Sequence, residues 1–410
     1  MVPLAPASND PSYAVAGLRE WYLIGNVLTA GHDTIRALVA CPPGHDSVHA
    51  FVDSACAARC AVDKDTVTMR IDIGHLPSGS HLLLLSADDA DTAFAAFRIQ
   101  RTQPLYVVVS NDWDWPSDTT GRFDRNMVRA DSLHLEYPGL RITHLVGPHA
   151  FTDPAITESR QAWFVEQLTR YEREYDDEIG LHIHGFCHFV TRAGVDCRLE
   201  PAETVNSPDD YMTPCYAYPE DEFGKLLDAA DSLFVANGLR KPTSFRAGGW
   251  WAELHTLRAL ASHGFVVDGS GCNYRYVFDG DTTNENLRAN YEWFTSTWYT
   301  MNDTTQPYRP SATDVARPGT PSLNILEVPD NAALAYYVSA AEMVDIFRRN
   351  WDGRPLPSPR QFSIGYHPIL LEGDIMDKLR TVLDTASTYL ADEGNGPVVY
   401  ARMSDLALVW

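Results

Sequence analysis

A chain of 410 residues, 45% hydrophobic and 21% charged, exceeds what one hydrophobic core usually organises, so two domains are expected. Its formal net charge of −23 argues against nucleic acid and anionic membranes as partners, because both are held by clustered Lys and Arg. No apolar run approaches the roughly 18 residues that a bilayer span requires.

The opening stretch "MVPLAPASNDPSYAVAG" lacks a basic n-region and a continuous apolar h-region, so no secretory signal is read. A cytoplasmic location is expected, with a trimmed, secreted chain as the alternative. The seven cysteines, Cys41, Cys56, Cys60, Cys187, Cys197, Cys215 and Cys272, form no CxxC pair. Buried free thiols in a reducing compartment are expected, and a Cys56–Cys60 bridge in "CAARC" is the alternative.

From residue 12 to 100 the chain reads as short strands. The runs "SVHAFVDS", "VTMRIDI", "HLLLLSA" and "AAFRIQ" are separated by Gly, Pro, Asp and Ser clusters, which predicts a small β-sandwich over 1–102. "RTQP" (101–104) is a linker, since Pro104 favours extended backbone before it. Spacing and dimerisation are both compatible with this domain, and no residue in it marks a ligand site.

The second domain, 103–410, alternates strands with helices. Apolar runs occur at 105–110, 140–146, 178–184, 243–247, 265–268, 324–329, 362–367 and 397–402. Between them lie helical patterns such as "TESRQAWFVEQLTRYEREY", with Trp163, Phe164, Leu168 and Tyr171 on one face. "PEDEFGKLLDAADSLFVANG" and "WWAELHTLRALASHG" each close on Gly. Seven or eight strands with intervening helices predict a parallel α/β fold, closed or partly closed into a barrel. Chemistry then belongs at the C-terminal strand ends. Long insertions follow the third strand (189–218) and the fifth (269–323), and loops of that length are often functional.

Ionisable groups gather at those ends. The first strand gives Asp112 and Asp114 in "SNDWDW", and the third gives His182, His184 and His188 in "GLHIHGFCH". The fourth gives Arg246, the fifth Asp268 and Ser270, and the seventh His367 in "GYHP". Taken singly, the aspartates can be turn caps and the histidines hydrogen-bonded core groups. Together on one rim they point to a metal, because two imidazoles, one carboxylate and an open position make a common catalytic zinc arrangement. In extended backbone alternate side chains share a face, so Asp112 pairs with Asp114 and His182 with His184. His184 and His188 face each other only if a helix begins at Gly185.

The order of these motifs resembles the polysaccharide deacetylase family (NodB homology, carbohydrate esterase family 4) over about 105–402. The resemblance implies a distorted (β/α)7–8 barrel that hydrolyses an N-acyl, acetyl-like group on an amino sugar or sugar-like small molecule with a divalent metal. Zinc is expected, with cobalt, nickel, manganese or iron as alternatives. It implies Asp114, His184 and His188 as metal ligands and Asp112 as catalytic base, held by Arg246. His367 would be the general acid, oriented by Asp268. Trp113, Trp250, Ser270 and His182 are further candidates for supporting these groups or touching substrate.

The motif departs from the family by inserting Trp113 between the aspartates and placing Gly185 after the first histidine. The family's "EIGNH" aligns with His182, whereas the four-residue spacing to His188 favours His184. Aromatic residues of 269–323 (Tyr274, Tyr276, Tyr291, Trp293, Trp298, Tyr299 and Tyr308) would either stack on a ring or form a satellite core. The alternative function is a repurposed, non-hydrolytic member that acts on a specialised metabolite or only binds a glycan.

Overall fold

Two units divide the chain in the computed structural model, which describes residues 13–41, 44–88, 93–200, 210–211, 213–277 and 285–410. The first comprises Met1–Leu105 with Trp351–Arg360 and Ala386–Val399. The second comprises Tyr106–Asn350, Gln361–Thr385 and Tyr400–Trp410. Parts of both long insertions (201–209, 212 and 278–284) and most of the opening stretch fall outside the described residues.

The first unit is a β-sandwich. One sheet orders the strands Ala14–Ala16, Thr34–Ala40 and Thr66–Asp72; the other orders Trp21–Leu23, Ala95–Thr102, Gly79–Ala87, Ser47–Val52 and Ala55–Ala61. Alternation decides which faces meet. Ile35, Ala37 and Val39 share a core with Val67, Met69 and Ile71, and Val48, Ala50, Leu83 and Leu85 join it from the opposite sheet.

The second unit is an α/β barrel. Its strands are β1 (Leu105–Asp112), β2 (Ile142–Val146), β3 (Glu178–Ile183), β4 (Ser244–Ala247), β5 (Val267–Asp268), β6 (Leu326–Glu327), β7 (Arg360–Tyr366) and β8 (Val398–Tyr400). They run in the order β6-β5-β4-β3-β2-β1-β7, with β8 also on β1. Successive pairs from β1 through β6 are parallel. β1 and β2 are buried at every residue, as expected of strands covered on both faces. An extended segment after β6 closes the ring: Ala332 and Ala335 donate to the Ser363 and Gly365 carbonyls at 3.1 and 2.8 Å. The short β5 and β6 and this irregular closure make the barrel a distorted one.

Helices α1 (Arg122–Glu136), α2 (Glu158–Tyr175), α3 (Cys187–Arg192), α4 (Glu220–Ala236), α5 (Leu254–Ser262), α6 (Glu285–Thr297), α7 (Ala340–Asn350) and α8 (Asp374–Ser387) fill the connections. α2 starts at its cap Thr157, whose hydroxyl accepts from the Arg160 amide, and buries Phe164, Leu168 and Tyr171. α4 starts after Pro219 with three acids in its first turn, where the helix dipole favours them. Among the described residues no helix is long and apolar enough to cross a membrane.

The thiol expectation is corrected. Cys187 and Cys197 form a disulfide, with Cα atoms 5.1 Å apart, while Cys56 and Cys60 remain free. The start of α3 and the chain beyond Gly194 bring the pair together, a proximity that linear spacing does not reveal.

Candidate active site

At the end of β1, alternation sends Asp112 and Asp114 into the barrel mouth and Trp113 to the opposite side. Trp113 is fully buried, with its ring edge-on to Phe123 and Phe164 at 5.1 and 5.4 Å and its indole N–H donating to Asn111. The inserted tryptophan therefore anchors the motif in the helical layer, and both acids keep one face. It does not line the cavity.

Asp114 is the hub. One carboxylate oxygen lies 2.9 Å from His182 Nε2 and 3.5 Å from His184 Nε2; the other lies 3.0 Å from His367 Nε2 and accepts from the Tyr211 hydroxyl at 2.9 Å. Burial opposes ionisation of Asp114, but the surrounding His367, His184 and His182 outweigh it and hold the carboxyl well below the usual range. His367 moves the other way: burial opposes its charge, and Asp114 overcomes that and raises it.

His182 Nδ1 sits 2.9 Å from the Arg246 carbonyl, and His184 Nδ1 2.8 Å from the Tyr211 carbonyl. A carbonyl only accepts, so each Nδ1 carries a proton, and each ring turns its Nε2 toward Asp114. Asp114, His182 and His184 are buried, their ligand atoms fall within 4.8 Å of one another, and His184 Nε2 has no hydrogen-bond partner. This donor set fits a divalent metal, with each histidine oriented by a second hydrogen bond, as is usual for metal-bound imidazoles.

The expected pairing of His184 with His188 is replaced by His182 with His184. Phe186 keeps non-helical backbone (φ −49°, ψ 122°), so α3 begins at Cys187 and not at Gly185. His184 and His188 therefore do not share a helical face, and His188 Nδ1 pairs with the Thr152 hydroxyl at 2.8 Å. Arg246, fully buried, donates to Asp112 at 2.9 Å and to the Gly269 carbonyl at 3.0 Å, with Asp330 at 3.4 Å. Asp268 is not hydrogen-bonded to His367. It accepts from Ser270 at 2.7 Å, and Ser270 in turn accepts from the Ala247 amide, so Ser270 ties β4 to β5 away from the cavity.

Asp268 also pairs in register with Glu327 on β6. Both are fully buried, and burial first, then their mutual closeness, pushes Glu327 well above the carboxylate range; burial raises Asp268 as well. The pair therefore retains a shared proton. A raised carboxyl contributes stability that is present below its unfolded value of 4.5 and lost as pH rises through the folded value. Glu327→Gln keeps the bridge without a titrating proton. Its stability relative to the parent is expected to improve by up to about 1.4 kcal/mol per pH unit between pH 5 and 8. Melting curves across that range check this, and a pH-independent difference refutes it.

A cavity of ≈ 270 Å³ opens on this cluster. Asp112, Asp114, His182, His184 and His367 form its reactive side; Tyr211, Trp250, Trp251, Tyr336 and Tyr337 form its aromatic walls. Of the candidate Trp250, Trp113 and Ser270, only Trp250 reaches the cavity. The aromatic residues of 269–323 do not line it: Trp298 is buried and donates to the Trp250 carbonyl, and Trp293 stacks on Tyr216. Tyr211, Trp251, Tyr336 and Tyr337 were missed. Tyr211 follows a stretch without periodicity, and the "YY" at 336–337 precedes α7 in irregular backbone, so only their aromatic character signalled them.

Gly248 belongs to the site through what it lacks. A Cβ there would stand 2.5 Å from the His184 ring, closer than real contacts allow. Gly248→Ala is expected to turn His184 and weaken metal binding at least ~10-fold, measured by competition with a chromogenic chelator. Unchanged affinity would remove Gly248 from the site.

No family model and no curated protein matches the chain. Among solved structures it is similar to a Mycobacterium smegmatis protein assigned to the polysaccharide deacetylases (17% identity, 74% of this chain and 89% of that one, TM-score 0.43). It is also similar to a family 4 carbohydrate esterase from Streptomyces lividans in complex with acetate (10%, 72% and 91%, TM-score 0.34). A third is a Bordetella bronchiseptica protein assigned to polysaccharide deacetylases involved in O-antigen biosynthesis (13%, 74% and 89%, TM-score 0.31).

Proposed function

We propose that this chain is a metal-dependent amide hydrolase that removes an acetyl-like group from the nitrogen of an amino sugar or sugar-like small molecule. The observation that supports it is the hub at Asp114: two histidine Nε2 atoms turned toward one buried carboxylate, with Asp112 and His367 on the same cavity. Asp114, His182 and His184 would hold a divalent ion, zinc by their donor set, which would supply Lewis acidity and acidify a water. Asp112, fixed by Arg246, accepts the proton of the attacking water. His367, whose charged form Asp114 favours, returns a proton to the departing nitrogen.

The test is acetate release from N-acetylated amino sugars by zinc- or cobalt-loaded protein, with Asp112→Asn as control. Release that needs metal and falls at least ~100-fold in the variant supports the roles. The alternative is a protein that binds a ring without hydrolysing it, favoured by the D-x-D spacing; metal-dependent acyl release excludes it.

A further inference from the structure

Gly185, which follows His184, leaves a bare stretch of backbone, and another part of the chain lies directly on it. A Cβ there would stand 3.0 Å from the Thr213 side chain and 3.2 Å from the Asp210 carbonyl. Between those two residues stands Tyr211, which serves the site in three ways. Its carbonyl accepts from His184 Nδ1 at 2.8 Å, and its hydroxyl donates to Asp114 at 2.9 Å. Its ring stacks on that of His184, with centroids 4.1 Å apart. Tyr211 belongs to the insertion after β3 and not to a barrel strand, so its place must be fixed from elsewhere.

Two hydrogen bonds anchor its flanks. The Cys187 amide, in the first turn of α3, donates to the Asp210 carboxylate at 2.7 Å, and the Thr213 hydroxyl donates to the Arg198 carbonyl at 2.8 Å. The two anchors belong to different helices. Cys187 opens α3, whereas the Arg198 guanidinium pairs with Glu222 of α4 and lies over the Tyr218 ring at 4.9 Å. The Cys187–Cys197 bridge joins them covalently, with Cα atoms 5.1 Å apart. Single hydrogen bonds are weak in net terms, so without the bridge Asp210 and Thr213 follow separate elements and Tyr211 is no longer held in one place. Both cysteines are half-buried, within reach of a reductant.

We infer that the Cys187–Cys197 bridge positions the metal centre and makes it redox-sensitive: formed, it sets Tyr211 against His184 and Asp114; opened by a dithiol, it loosens both. Opening is thiol–disulfide exchange. A thiolate of the dithiol attacks one bridge sulfur and expels the other as thiolate, and its second thiol then resolves the mixed disulfide. Two electrons pass to the cysteines, which end as two thiols, and the dithiol leaves as a disulfide. Cys187 and Cys197 are positioning residues, acting through Tyr211. The inference deepens the amide-hydrolase reading and rests on it for the ion.

The experiment uses the full chain in a Cys56→Ser/Cys60→Ser background, which leaves the bridge as the accessible redox couple. Zinc affinity is measured by competition with a chromogenic chelator, before and after reduction with a phosphine, at a temperature where circular dichroism shows both forms folded. Reduction is expected to weaken zinc 10- to 100-fold, as loss of a group supporting a metal ligand does, and re-oxidation to restore it. Cys187→Ser/Cys197→Ser should match the reduced form. Thr213→Val, which cuts one anchor and keeps the bridge, should weaken zinc about threefold or more. Reciprocity gives a readout that a merely stabilising bridge would not move: at saturating zinc, the bridge's midpoint in a dithiol buffer should fall by about 30 mV for each tenfold difference in affinity. Equal zinc affinity in both forms, tighter zinc after reduction, or an unchanged Thr213→Val overturns the inference and leaves the amide-hydrolase reading standing. No zinc binding by the oxidised chain overturns both.

Discussion

Asp114→Asn is expected to empty the metal centre while leaving the barrel folded. The carboxylate is where His182, His184, His367 and Tyr211 converge, so its charge is what gathers them. An amide keeps the shape but offers a metal one neutral oxygen, and it can set an N–H against the Tyr211 hydroxyl and His367, which donate to the carboxylate. Loss of a partner one layer out from a metal typically costs 10- to 100-fold in affinity, so loss of a ligand should cost at least about 100-fold. Bound metal per chain, measured by elemental analysis after dialysis against limiting zinc, should fall close to zero in Asp114→Asn and in His182→Ala. His188→Ala should retain full metal occupancy, because its ring is turned to Thr152. If His188→Ala lost metal and His182→Ala kept it, the ligand set would be the one read from the four-residue spacing.

Arg246→Met should destabilise the protein by about 3–5 kcal/mol, the usual result of stranding a buried ion-pair partner. Asp112 and Asp330 would both stay in the interior with their guanidinium gone. Even beside that guanidinium, burial already raises Asp330 to about 6. Without it the Asp330 carboxyl rises further, and a raised carboxyl loses stability as pH climbs. The deficit measured by denaturant unfolding should therefore be larger at pH 8 than at pH 5. Arg246→Lys should recover part of it, since an ammonium restores one charge but cannot span Asp112, Gly269 and Asp330 together. A deficit under about 1 kcal/mol at every pH would mean that Arg246 balances nothing essential.

Much of this was legible in the residues. Strands buried on both faces write themselves as β-branched runs, and a parallel barrel collects its strand ends on one rim, so Asp112, Asp114, His182, His184, Arg246 and His367 could be grouped before any coordinates. What failed depended on where a helix starts. HxxxH pairs its histidines only inside a helix, and the two residues Gly185 and Phe186 stay outside α3. Asp268 was misread for a related reason: its partner Glu327 arrives from 59 positions away, in register across two short strands. The Cys187–Cys197 bridge and the Tyr336–Tyr337 wall arise from irregular backbone, where neither periodicity applies.

The imidazoles of His182 and His184 both lean on main-chain oxygens, those of Arg246 and Tyr211, through Nδ1. A main-chain oxygen survives every substitution at its own residue. The orientation of the two rings is thereby insulated from substitution at Arg246 and Tyr211, because the oxygens that hold them belong to the backbone.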